Sequence, residues 1–259
     1  MNKITGILML ILASSCGCQG QRTIMPPAPE SNKTVRPAPK YPPQTRVVNL
    51  SGSQLAALPT ELQNLTNLEV LVLDRNPLNV LPNEIPAQFP RLKVLSINLA
   101  GLTSLPPELA QLQSLQDLSL ADNMLTELPP DLGKLTSLQI LILKGNRLTA
   151  VPPEIGGLSQ LILLDLSENA ITDLPKEIGN LTRLKTLSLA RNRLSQLPES
   201  LVSLVNLECL DVTANQLTAL PDKIQKLTHL RILQLTGNLL PPEEDARVRR
   251  ELPNCMVVN

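Results

Sequence analysis

A run of leucines that returns every 23 residues constrains this chain more than any other feature. Leu184–Pro198 reads LKTLSLARNRLSQLP, with leucines at Leu184, Leu187, Leu189, Leu194 and Leu197 around Asn192. The same grammar begins at Leu68, Leu92, Leu115, Leu138, Leu161, Leu207 and Leu230, and Asn recurs at Asn76, Asn123, Asn146, Asn169, Asn215 and Asn238. Leu187 and Leu189, two apart, share one face of a short strand, and Thr186 and Ser188 face the other way. A strand this short is stable only beside copies of itself, which predicts a parallel sheet. The Asn amide, enclosed by apolar neighbours, must find backbone partners, so stacked copies predict a ladder of hydrogen bonds. Pro198 then suits the opening of a helical turn, and Leu181 and Leu184 bring the chain back to the core at helical spacing.

The order L-x-x-L-x-L-x-x-N-x-L-x-x-L-P resembles the leucine-rich repeat family from Thr45 to the C-terminus. That resemblance implies an α/β solenoid with a curved parallel sheet on its concave side and short helical or 3-10 turns on its convex side. It also implies binding of a protein partner rather than catalysis. The first repeat, from Thr45, is degenerate, with Ser53 at the Asn position, as expected of a terminal unit with one neighbour. The second carries an extra residue between Ile85 and Phe89, and the third has Ala100 where Asn belongs, so the ladder should break there. After Pro241-Pro242, Glu243–Leu252 reads as a charged cap helix, acids first and Arg247, Arg249 and Arg250 later. Leu252, Cys255 and Val257 then repeat the leucine spacing as a closing strand.

Ahead of the repeats, Lys3 precedes an apolar run, Ile4 to Leu12, and the small residues Ala13, Ser14 and Ser15. That run is shorter than the ~20 residues needed to cross a bilayer and has the layout of a secretory signal, residues 1–15. Followed by Cys16, it resembles the leader of bacterial lipoproteins. The resemblance implies a diacylated Cys16 at the mature N-terminus and an extracytoplasmic, membrane-anchored protein; plain secretion is the alternative. Residues 16–44 hold Pro26, Pro27, Pro29, Pro37, Pro39, Pro42 and Pro43, a composition that favours extended linker geometry. The solenoid is expected over 45–259, with its C-terminal cap from about 241.

Composition narrows the function further. With 23 basic and 23 acidic residues, no net field favours nucleic acid. Phe89 and Tyr41 are the sole aromatics, so stacking platforms for bases are nearly absent. Neither metal-ligand spacing nor a phosphate loop or nucleophile elbow is present, so no metal, cofactor or catalytic residue is expected. His229 falls at a surface position of its repeat, and Glu61, Glu84, Glu108, Asp131, Glu154 and Glu177 are expected to cap the outer turns. Cys209 and Cys255, on opposite faces and about two strands apart, are not expected to pair.

The inner wall is where a partner would bind. One outward row is Val47, Val70, Val94, Asp117, Ile140, Leu163, Thr186, Cys209 and Ile232; the next is Asn49, Val72, Ser96, Ser119, Ile142, Asp165, Ser188, Asp211 and Gln234. Two apolar clusters, Val70/Val72/Val94 and Ile140/Ile142/Leu163, lie among Asp117, Asp165 and Asp211, on a strip about 40 Å long. These nine residues form the candidate partner site. An envelope spacer with no ligand, or an accessory or inhibitor subunit of an enzyme, would use the same scaffold.

Overall fold

The computed structural model describes residues 41–259, so the expectations for the leader, Cys16 and most of the proline-rich linker lie outside the described residues. Ten three-residue strands stack in chain order into one parallel sheet. They are β1 (Val47–Asn49), β2 (Val70–Val72), β3 (Val94–Ser96), β4 (Asp117–Ser119), β5 (Ile140–Ile142), β6 (Leu163–Asp165), β7 (Thr186–Ser188), β8 (Cys209–Asp211), β9 (Ile232–Gln234) and β10 (Met256–Val258). The pairing register matches the expected rows: Val94 pairs with Asp117, Asp117 with Ile140, and Ile140 with Leu163. Behind the sheet, Leu71, Leu95, Leu118, Leu141, Leu164, Leu187, Leu210 and Leu233 form a fully buried column. Each such leucine withdrawn from water contributes about 1.5–3 kcal/mol at most, which no single coil could collect alone.

The asparagine ladder forms as expected. Asn192 Nδ2 donates to Leu189 O of its own coil (3.0 Å) and to Leu166 O of the preceding coil (3.0 Å). Its Oδ1 accepts the Ile171 N–H (3.0 Å). Asn76, Asn123, Asn146, Asn169, Asn215 and Asn238 repeat this geometry. At Ala100 the ladder breaks, and the Asn79 N–H takes the Ala100 carbonyl instead (3.0 Å).

The residue before each ladder position is left-handed throughout, from Gly52 (φ 67°) and Arg75 (57°) to Ala214 (54°) and Gly237 (76°). The two coils without Asn have a second left-handed residue just after that position, Gln54 (57°) and Gly101 (73°). A turn without the amide bracket thus closes by placing another residue in a region that costs energy for anything but glycine.

On the convex side the chain forms 3-10 turns such as Pro107–Gln111, Pro130–Lys134, Pro153–Gly157, Lys176–Asn180 and Glu199–Ser203. Pro198 sits just outside its turn in extended geometry, whereas Pro107, Pro130 and Pro153 open theirs. Adjacent turns approach so closely that a Cβ on Gly156 would lie 2.7 Å from the Glu177 carbonyl oxygen. Glu61, Glu108, Asp131, Glu154 and Glu177 sit in the first turns and Glu84 just ahead of Ile85–Gln88, yet no side-chain cap bond forms at any of them, so their favourable effect is that of charge near exposed N–H groups alone. The extra residue of the second repeat is absorbed by α1 (Ile85–Gln88), a four-residue α-helix that leads into the fully buried Phe89.

The far end is closed by α2 (Pro242–Glu251), which buries Val248. Arg247 binds Glu244 (2.7 Å), Glu251 (3.1 Å) and the Leu220 carbonyl (3.0 Å), and Glu244 accepts the Leu220 N–H (2.8 Å), clamping the helix onto the last coil. The closing strand forms two residues later than the leucine spacing suggests. Val257, not Cys255, pairs with Leu233, because α2 runs on to Glu251 and Leu252 packs at its end. At the other end Tyr41 already packs against the core, four residues ahead of the expected start at Thr45.

Candidate partner-binding face

The nine sequence-derived positions all lie on the concave face, in the expected rows, but they differ in accessibility. Ile140 (4% exposed), Leu163 (1%) and Asp165 (8%) are buried, as are Thr186, Ser188 and Cys209 beside them. Val70 is at the edge of burial, and Val72, Val94, Asp117, Ile142 and Asp211 are half-buried. The apolar ground offered to a partner is therefore smaller than the sequence suggests. It centres on β2–β5: Val72, Val94, Ser96, Asp117, Ser119 and Ile142.

Two of the three acids have local tasks. Asp165 Oδ1 accepts the Ser167 N–H (3.0 Å) and hydroxyl (2.6 Å), and Asp211 Oδ1 accepts the Thr213 N–H (2.9 Å). Each brackets the turn that leaves its strand, as Asn49 does with Ser51. A polar chain that the sequence reading missed runs along the ends of β2–β4. Asp74 Oδ1 accepts from Ser96 Oγ and Asn98 N (both 2.8 Å), and Asn98 Oδ1 accepts from Ser119 Oγ (2.8 Å) and Ala121 N (2.6 Å). Both serine hydroxyl protons are thereby committed.

Asp117 stands apart. It lies between Val94 and Ile140 in register, and no hydrogen bond or ion pair reaches its carboxylate among the described residues. Lys93 of the preceding coil pairs with Glu69 (3.1 Å), and Lys144, past β5, pairs with Glu168 (3.3 Å). Burial among apolar neighbours pushes the Asp117 carboxyl up to about 6.

Among the described residues no cluster of His, Cys, Asp and Glu could hold a metal ion, and no helix is long and apolar enough to cross a membrane. His229 is exposed and its Nδ1 donates to the Val205 carbonyl (2.8 Å). Cys255 is a free thiol that burial pushes up to about 11, so it does not pair with Cys209.

A folded-state carboxyl titrating above its unfolded value of about 4 favours the protonated fold, so stability falls as pH rises from about 4, and the full cost of the ionised form is present above about 6. Asp117→Asn should therefore raise stability near pH 8 by about 1 kcal/mol, a figure reduced for the screening of a half-open site, and the gain should vanish near pH 4. Thermal melts of both proteins at the two pH values check this.

Comparison with known proteins agrees with the geometry. Residues 155–252 match the family described as leucine-rich repeat region, and residues 90–148 match the one described as leucine rich repeat. A human protein, leucine-rich repeat-containing G-protein coupled receptor 6, is 35% identical over 90 residues, which are 35% of this chain and 9% of that protein. The chain thus spans less than a tenth of that curated relative. Among solved structures, an internalin (inlF) of Listeria monocytogenes superposes with a TM-score of 0.70 at 26% identity, covering 83% of this chain and 60% of that one. The Arabidopsis receptor kinase HAESA, solved in complex with a peptide hormone and a co-receptor, superposes at 0.62 with 33% identity, covering 72% of this chain and 33% of that one. Ten parallel strands, an asparagine ladder and two matched stretches of repeats together identify a leucine-rich repeat protein.

Proposed function

We propose that this chain is a non-catalytic module that binds a protein partner through the concave face of its solenoid, displayed outside the cytoplasm. The observation that carries the reading is the half-open patch over β2–β5, where Val72, Val94 and Ile142 lie in the same two rows as Asp117 and stay open beside the buried Ile140, Leu163 and Asp165. Parallel strands hold these side chains at fixed spacing, so a partner meets a preorganised surface and little ordering cost opposes binding. HAESA, which superposes on this solenoid, is solved in complex with a peptide hormone and so gives one example of a structural relative with a polypeptide partner. Without tryptophan and with one tyrosine and one phenylalanine, the chain lacks the aromatic anchors of the tightest interfaces, which favours modest affinity. Display rests on the sequence of residues 1–16: an apolar segment after Lys3, small residues, then Cys16, whose acylation would place the solenoid on a bacterial membrane with residues 16–44 as spacer.

Because Ile140 and Leu163 are buried, charges placed there would disturb folding and binding together. Val94→Glu with Ile142→Glu, at half-buried positions, should leave the melting profile close to wild type. It should also remove the partner that the intact protein retains on extraction of its membranes with detergent. A partner kept by this variant would place the site elsewhere. Labelling of the full chain with a palmitate analogue in a bacterial host should be lost in Cys16→Ala, and label retained there would refute the lipid anchor.

A further inference from the structure

Among the described residues Asp117 is the one concave-face acid with no structural task. The second-row acids Asp165 and Asp211 each hold the backbone N–H two residues on. Asp117 is in the first row, where the residue two places on, Ser119, is still within the strand and gives its hydroxyl proton to Asn98. Its in-register neighbours, Val94 and Ile140, have no polar side-chain atoms, and the lysines of the flanking coils pair with glutamates. An ionised carboxylate lodged among methyl groups without a donor is a cost that the fold itself does not recover.

We propose that Asp117 forms a subsite for a cationic side chain, taking the arginine or lysine of a partner polypeptide whose flanking apolar residues lie on Val72, Val94 and Ile142. This rests on the reading of the concave face as the partner site and adds the chemistry of the partner. Charge complementarity selects the occupant. A neutral donor would fill one lone pair and leave the charge, whereas a guanidinium or ammonium neutralises it and lays its aliphatic stem along the valine and isoleucine side chains. A metal ion is a poor fit, because one carboxylate with apolar neighbours supplies too few ligands. The high carboxyl pKa of Asp117 agrees with this, since a group raised by burial alone is restored to its charged form by a paired cation.

The test uses the full chain and a phage-displayed library of random dodecapeptides as the probe, selected near pH 7.5. Recovered peptides are synthesised and titrated by fluorescence polarisation against wild type, Asp117→Asn, and Val94→Glu with Ile142→Glu. The expected result is an arginine or lysine flanked by apolar residues. Replacing that cation by norleucine, or Asp117 by Asn, should each weaken binding about tenfold or more, and the two changes together should cost little beyond either one. Since Asp117→Asn is expected to stabilise the fold, lost binding would not reflect unfolding. Peptides without a cation, or with affinity unchanged in Asp117→Asn yet lost in the double-glutamate variant, would overturn the subsite and leave the concave reading standing. Peptides indifferent to both variants would overturn the two together.

Discussion

No coil of this protein can satisfy its own turn. The asparagine amide of each ladder turn is buried or half-buried, and it has full partners only where the preceding coil is in place: one carbonyl comes from its own coil and one from the coil before. The neighbour's N–H completes the set. Leaving any of these buried groups unmet would cost about 1–3 kcal/mol each. Stacking is therefore a requirement for every turn, and the leucine columns behind the sheet impose the same condition through apolar area. The solenoid follows from units that are unstable singly and satisfied in series.

The exceptions obey the same logic. Where Ser53 and Ala100 replace the asparagine, the turn takes a second left-handed residue, and where the last coil would end unsatisfied, Glu244 and Arg247 hold Leu220 from the cap helix. Regular parallel pairing also fixes what the concave wall can do. Side chains stand in rows set by register, so an acid falling in the first row finds apolar neighbours and no turn to bracket. Asp117 is in that position.

Much of this was legible in the sequence. Alternation fixes which residues of β1–β9 face outward, because a slip of one residue would drive the leucines into solvent. The break at Ala100 follows from one substitution in a repeating pattern. Burial along the wall was not legible: Ile140, Leu163 and Asp165 differ from Ile142 and Val94 in how neighbouring coils cover them, which no single repeat records. Asp165 and Asp211 looked like binding acids, yet the recurring N-L-S, D-L-S and D-V-T at Asn49–Ser51, Asp165–Ser167 and Asp211–Thr213 carried the signal of a turn bracket. The two-residue shift of β10 escaped because Leu252 serves the cap helix, and spacing alone cannot separate a helix end from a strand start. The leader and Cys16 remain matters of sequence.

The central claim is that each asparagine holds two coils, and Asn192→Ala tests it most directly by hydrogen exchange and chemical denaturation. The account predicts a loss of about 2–3 kcal/mol, with amide protection falling at Ile171 in the preceding coil as well as within the substituted one. Stability within about 0.5 kcal/mol of wild type, or faster exchange confined to the substituted coil, would contradict it.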